Sequence, residues 1–565
     1  MTQSHLARRD LLRYVPPKNF NTHGHHCRPV SSEFVAVSML LGRPEDIAAP
    51  RASMSFGGGQ LHHRINPPSQ QLNSHLNKCH VKEYTMICRL RQLTALTKCR
   101  RPVKPQRTLA AVLAVVAVAA AVTGCSGRSS SESSAEGADD GGTSAAAASS
   151  DFGDLQGVCQ PGDVKGAPAQ GVTAEEISVG VFSDMGFNKN TEFADAAEVF
   201  TSWCNDAGGI NGRRIVANVR DSKLMEVRQR MIEACRDDFA LVGGGAALDA
   251  LGVKDRLTCM LPSFPAQAVQ ARSAGADLEV SASPTMIPGY DNYNGFRTWI
   301  ADEAYPDSKA AVGIINGDSA VTKAIGALTA ETLAATGATL IYDELYPAMG
   351  VSDWTPYAQA IKSKGVKGLI FMGDFNQLAK LEEVLTSMNY KLDWIDANNN
   401  AYNASFIELL GKSADFQNNL VSLSGVAPLE SDEPAVAELK AMYQKYAPDA
   451  QITLPSMLAM SSWLLFAKSA ASCGDDLTRS CLYNAAVAET AWTGGGLHVA
   501  NDLANPIPPQ PCFNVERATS DGWEAADFNP DNGLYRCDIP ARKLTADFGT
   551  PMTLAEVGKS IGDFE

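Results

Sequence analysis

Histidine is the first residue type to weigh for proton transfer and metal binding, and this 565-residue chain has nine. Eight lie at or before His80; only His498 lies beyond. A zinc site built from several histidines is therefore excluded from the long C-terminal part. A Ser-His-Asp triad could use only His498, which follows Gly494-Gly495-Gly496 with no nucleophile evident beside it. The cluster His23-Gly-His-His-Cys27 has ligand types. It stands in a stretch without helical or strand periodicity, and is read as no metal site. The chemistry left is that of cysteine and of glycine-rich loops, which points to export and binding rather than to catalysis. No cofactor is expected.

The charge divides sharply. Lys and Arg number 48 and Asp and Glu 63, for a net −15. Residues 1–124 hold 17 basic and 5 acidic side chains, net +12, which leaves 31 and 58, net −27, in residues 125–565. So acidic a body disfavours nucleic acid, whose phosphates would repel it. At the junction, the basic residues 98–107 precede an uncharged apolar run, 109–122, and then Thr123-Gly124-Cys125. This is the pattern of a secretory signal; 14 residues are too few to span a bilayer comfortably, where about 20 are needed. Val122-Thr-Gly-Cys125 resembles the lipobox of bacterial lipoproteins, which implies cleavage before Cys125 and its lipidation. Residues 126–150 are Ser, Ala, Gly and acids, too polar to bury a core, and read as a flexible tether. The expected organisation is a non-native or disordered extension over 1–102, with the true start near Met86 or Val103, a lipoprotein signal over 103–124, and a lipidated tether over 125–158.

The body alternates strands and helices. Short apolar runs at 177–182, 214–220 and 239–242 are separated by helical spacings at 193–204 and 223–238, a βαβαβ pattern that predicts a parallel sheet. The pattern restarts with strands at 310–315, 339–345, 368–372 and 392–395, and helices from about 320, around 357–364 and over 377–388. Two such sheets predict two lobes with a cleft, and in open α/β sheets ligands gather at the carboxyl ends of strands. Eight cysteines remain in the body, an even number that suggests four disulfides in an exported protein. Cys473–Cys481 flank a short turn, and Cys512–Cys537 form a natural second pair. With a strand order of 2-1-3, right-handed crossovers place the first two helices on opposite faces, too far apart for Cys204 to reach Cys235. That favours Cys235–Cys259 and leaves Cys159–Cys204.

The stretch Asn205-Asp-Ala-Gly-Gly-Ile-Asn-Gly212 before the second strand, with Asp221 after it, resembles the first lobe of type I periplasmic binding proteins. The likeness is to the branched-chain amino-acid (Leu/Ile/Val) substrate-binding lipoproteins of ABC transporters. It spans about 171–497 in element order. It implies an α/β fold of two Rossmann-like lobes with parallel sheets joined by a three-strand hinge. Lobe one would take 159–296 with about 424–500, and lobe two 297–423 with about 501–550. The chain would leave lobe one near 293–297, return near 423–428 and cross again late. Residues 505–511 read as extended linker, and the segment to Cys537 as a disulfide-clipped hairpin completing lobe two.

The resemblance also carries over site positions. Gly244, Gly245 and Ala246 fall where the family's ligand carboxylate meets backbone N–H groups, and glycine permits that close approach. Phe264 and Ala266 fall in the second carboxylate loop. Ser319, Asp374 and Phe375 lie at strand ends of lobe two, where the family presents an aromatic; Phe375 keeps it. Phe187, after the first strand, would wall the pocket. Asn398 sits where the family places an acid for the ligand's ammonium, a charge an amide cannot supply; Asp374 is the substitute acid.

The implied function is an extracytoplasmic solute-binding lipoprotein of an ABC importer, on the outer face of the cytoplasmic membrane. It would capture a small polar solute, an amino acid or a related amide or carboxylate, by lobe closure. The expected partners are the solute and the membrane permease subunits, with no nucleic acid, and the expected state is a monomer. The alternatives are a ligand sensor of the same fold and, behind it, an exported hydrolase.

Overall fold

The computed structural model describes residues 150–283 and 287–564. The extension, the signal, Cys125 and the tether as far as residue 149 lie outside the described residues. Among the described residues no helix is long and apolar enough to cross a membrane, and no group of His, Cys and acids is arranged to hold a metal.

The first sheet consists of β1 (Glu176–Ser183), β2 (Arg214–Asp221), β3 (Ala240–Val242) and β4 (Ser263–Phe264), all parallel in the order β2-β1-β3-β4. Period-two alternation sorts β1 between two cores. Ile177, Val179 and Val181 pack with Phe193, Phe200 and Trp203 of helix Glu192–Asp206. Phe182 turns to the other side, against Val227 and Met231 of helix Val227–Asp237. The first core is completed by helix Leu454–Cys473, almost wholly buried, whose Trp463 stacks on Phe200 at 5.3 Å. A Thr453–Ser456 capping box and Pro455 start that helix.

This arrangement puts Cys204 and Cys235 on opposite faces. The disulfides are Cys159–Cys204, Cys235–Cys259, Cys473–Cys481 and Cys512–Cys537, with Cα separations of 5.3, 5.8, 6.1 and 4.0 Å. They are the four pairs expected, two from spacing and two from the topology.

After β5 (Tyr290–Asp291), the second sheet begins. Its strands are β6 (Val312–Gly317), β7 (Leu340–Tyr346), β8 (Gly368–Met372), β9 (Trp394–Asp396), β10 (Asn419–Ser422), β11 (Val515–Thr519) and β12 (Gly522–Ala525). The order is β12-β11-β10-β9-β8-β6-β7; β11 runs antiparallel to both its neighbours, and the other pairs are parallel. That terminal hairpin completes lobe two.

Three segments run between the sheets. Residues 265–311 lead out; residues 423–428 lead back to helices packed on lobe one; and residues 498–514 cross again into β11. The second and third pair with one another: Ala427 N–H donates to Leu497 O and Val499 N–H to Gly425 O. Asn514 donates to Val426 O at 2.7 Å. These are the two lobes and the hinge expected.

Four local expectations need correcting. Residues 293–297 are not a crossover strand; Asn294–Trp299 is helical. The helix expected from 223 begins at Val227, because Lys223 and Leu224 adopt φ of +45° and +71°. The stretch 151–158 is not tether. Phe152 is fully buried, edge-on to Trp203, and Asp154 N–H donates to Gly495 O. Finally, the chain does not end its course in lobe two. After β13 (Arg542–Lys543) pairs with β5, Glu331 of lobe two receives Thr545, and residues 552–564 return to lobe one. There Leu554 N–H donates to Asp277 at 2.6 Å, and Leu554 and Phe564 pack on Val253 and Leu257.

Candidate functional site

The loops at the carboxyl ends of both sheets form the candidate cleft. In lobe one a single carboxylate ties them together. Asp184, just after β1, is buried. It accepts from the Ser222 hydroxyl and Leu224 N–H (2.9 Å) after β2, and from Ala247 N–H (2.8 Å) after β3. Such charge-assisted bonds are the strong ones, so three loops move as one piece.

The glycine loop is less available than its composition suggests. Gly243 N–H donates to Phe264 O (2.8 Å) and Gly245 N–H to Phe182 O (3.0 Å). The N–H groups of Gly244 and Ala246 make no such bond among the described residues. A side chain at Gly244 would strike the Phe182 backbone at 2.4 Å, so glycine is needed there to pack loop against strand. Gly244, Gly245 and Ala246 also line a cavity of about 50 Å³ inside lobe one. Asp249 and Glu279 share it, and burial pushes their carboxyls up to about 6 and about 7. Phe264 is fully buried edge-on to Phe466, and Ala266 is buried with its N–H on Gly244 O. Neither presents a side chain to the cleft. Phe187, after β1, is 48% exposed.

In lobe two Ser319 caps helix Ala320–Ala335, accepting from Thr322 N–H at 3.1 Å. Asp374 caps helix Phe375–Ser387, accepting from Asn376 N–H at 2.9 Å, and remains exposed. Phe375 is half-buried, edge-on to Phe406 at 6.1 Å. Asn398 holds φ +62° and sets its amide against Met372 Sδ at 2.8 Å. The named residues thus divide. Phe187, Asp374 and Phe375 remain accessible at strand ends; the glycine loop, Phe264 and Ala266 are packed away.

Sequence reasoning missed the base of the cleft. Asp396 lies two residues before Asn398, at the end of β9, and burial raises its carboxyl while Arg297 pulls it down. Arg297 pairs with Asp291, which also accepts from Thr332 Oγ1 at 2.6 Å, and the guanidinium lies 5.4 Å from the Tyr293 ring. Tyr293 in turn meets Ser424 of the second crossing segment. A buried acid exists here, displaced from the position the resemblance marked. Glu192, at the start of its helix, is a second: burial raises its carboxyl, and it accepts from Thr453 Oγ1 at 2.8 Å. The loops after β2 and β7 also expose Met225 (69%) and Met349 (83%).

His498 does have a serine beside it. Ser461 Oγ lies 2.8 Å from His498 Nε2, and Trp492 Nε1 donates to the same oxygen at 3.0 Å. All three are buried, and burial lowers the imidazole to about 4. Nδ1 faces Val499 O at 2.8 Å, which fixes the neutral tautomer with its proton there. The group is a polar network buried in the core.

The family model for periplasmic binding proteins matches residues 176–516. The chain belongs to the periplasmic binding protein family. Solved structures agree on the fold. A fatty acid ABC transporter substrate-binding protein of Thermomonospora curvata superposes with TM-score 0.54 at 18% identity, covering 69% of this chain and 97% of its own. A leucine-binding protein of Thermotoga maritima gives 0.52 at 10% identity, covering 62% and 97%. A substrate-binding periplasmic protein of Ralstonia solanacearum gives 0.52 at 14%, covering 62% and 100%. No curated protein matches the sequence.

Proposed function

We propose that this periplasmic binding protein is the solute receptor of an ABC importer, held to the outer face of the cytoplasmic membrane through a lipidated Cys125. The observation that carries the reading is the pair of parallel sheets joined by three crossing segments, two of them paired with each other. That arrangement lets a solute bridge two lobes and select their closed form. The solute class is a small polar molecule, an amino acid or a related amide or carboxylate. Phe187, Met225 and Met349 favour one with an apolar body. The ligand-binding set proposed is Phe187, Asp374, Phe375 and Asn398, with the N–H groups of Gly244 and Ala246, and Asp396 as the acid nearest the hinge. Ser319 contributes by holding its helix terminus. The closed, monomeric receptor would then deliver its solute to the permease subunits.

The test is thermal unfolding of oxidised residues 126–565 against amino acids, amides, carboxylates and sugars. Ligand at 100 times its Kd stabilises by about 2.7 kcal/mol. A shift confined to one chemical class supports the receptor reading and names the class. No shift with any member, at concentrations that saturate a millimolar site, counts against it.

A further inference from the structure

Residues 517–565 lie beyond the match to the family model, and they make a fourth link between the lobes. The link leaves lobe two after the hairpin of β11 and β12. Arg536 and Phe513 exchange backbone bonds, N–H to O in both directions, at 2.8 and 2.9 Å. The Cys512–Cys537 disulfide fastens the same place to the third crossing. The Arg536 guanidinium grips both oxygens of Glu303 at 2.8 Å. The segment then runs beside the first crossing. Asn294 donates to Pro540 O at 2.8 Å, β13 pairs with β5, and Leu544 N–H donates to Gly289 O at 2.9 Å. Glu331 of helix Ala320–Ala335 holds it to lobe two, accepting from Thr545 N–H at 2.5 Å and from Ala546 N–H at 3.2 Å.

The hold on lobe one begins at Met552. Its N–H donates to Arg272 O at 3.0 Å, Asp277 N–H donates to Met552 O at 3.1 Å, and Leu554 N–H donates to the Asp277 carboxylate at 2.6 Å. Met552, Leu554 and Phe564 pack with Val253, Leu257 and Leu278. Arg272 also pairs with Glu556 at 2.6 Å, but both side chains are partly exposed, so the pair adds little. The hold on lobe one is thus packing and backbone bonds, whereas the other end is fastened by a disulfide. Between the two holds the span is short. Thr545, Ala546, Asp547, Gly549 and Thr550 are exposed and lie outside helix and strand. From Ala546 to Met552 the backbone reaches at most about 21 Å, at about 3.5 Å a residue. While both holds are made, the lobes cannot part further than that along this edge. Parting them requires Met552, Leu554 and Phe564 to leave lobe one, which returns apolar surface to water.

We propose that residues 540–564 are a latch on the movement of the two lobes. Docked on lobe one, the latch limits how far the lobes swing about the three crossings; undocked, it frees them. It narrows the set of lobe arrangements from which a solute selects. It acts on the lobes themselves and does not depend on which solute the cleft takes.

The test measures the separation of the lobes in the full chain. Spin labels are carried on non-natural residues at Lys254 of helix Ala250–Thr258 and Ala327 of helix Ala320–Ala335, both exposed, so that the disulfides stay intact. Double electron–electron resonance reads their distance distribution. Inserting Gly-Ser-Gly-Ser-Gly-Ser between the exposed Gly549 and Thr550 lengthens the span by about 20 Å and leaves both holds in place. The distribution should then extend to distances absent in the wild type, with hydrogen exchange over residues 552–558 unchanged. Leu554→Ala weakens the hold on lobe one instead. It should quicken that exchange about ten-fold or more and broaden the distribution in the same direction. The same distribution in the wild type and the insertion variant would overturn the latch. So would a Leu554→Ala protein whose exchange quickens without broadening, or does not quicken at all.

Discussion

Glu382 is a fully buried acid in lobe two whose only hydrogen-bond partner among the described residues is Asn419, which donates to Oε2 at 2.8 Å; Oε1 is unpartnered among them. Burial pushes its carboxyl up to about 8, from an ordinary value of 4.5. The folded protein therefore keeps this proton up to about pH 8, whereas the unfolded chain releases it above about pH 4.5. Its contribution to stability is complete below pH 4.5 and is lost progressively as pH rises to 8. At pH 7.5 that loss spans three units, about 4 kcal/mol at 1.36 kcal/mol each; at pH 5 it is under about 1 kcal/mol. Glu382→Gln keeps the acceptor for Asn419 and removes the ionisation. Its second amide proton lacks a partner, at a cost of about 1 kcal/mol. The variant should thus be more stable than wild type by about 3 kcal/mol at pH 7.5 and about equal at pH 5. With an unfolding entropy of about 2.1 cal/mol/K per residue over about 400 residues, that is a rise in Tm of about 3–4 °C at the higher pH only. Thermal unfolding of both proteins at the two pH values tests it. An equal shift at both, or a loss of stability at pH 7.5, would refute the reasoning, because it would mean the folded protein holds Glu382 ionised.

Two other perturbations probe the loops and the core. Asp184→Ala removes the acceptor shared by Ser222, Leu224 and Ala247; it should cost about 3 kcal/mol. Hydrogen exchange should quicken in residues 222–226 and 244–247 before the rest of lobe one, and uniform quickening would show the carboxylate does not tie these loops. His498 is neutral in the fold and lowered to about 4, so the unfolded chain takes up a proton first as pH falls through about 6.5. The stability advantage of wild type over His498→Gln should therefore shrink by about 2 kcal/mol between pH 8 and pH 5 in denaturant titrations. A pH-independent gap would show that the imidazole is not buried as a neutral ring.

The broad plan of this protein is legible in its residues, because periodicity and handedness are local or topological rules. Alternating apolar runs marked β1, β2 and β8, and the right-handed crossover separated Cys204 from Cys235 and so assigned two disulfides. Glycine marked a tight approach at 243–246, but not what approaches. It took the folded chain to show that the N–H groups of Gly243 and Gly245 are spent on Phe264 and Phe182. The fold also decided that Ser319 and Asp374 cap helices, and that the buried acid near the hinge is Asp396. Hydrogen bonds between loops far apart in sequence have no period, so no pattern announces them. The same holds for residues 151–158, which read as tether, and for residues 552–564, to which no pattern gave a place. Phe152 and Leu554 become core only because Trp203 and Leu257 wait for them. Composition measures how much a segment can bury; the fold alone supplies the surface against which it is buried.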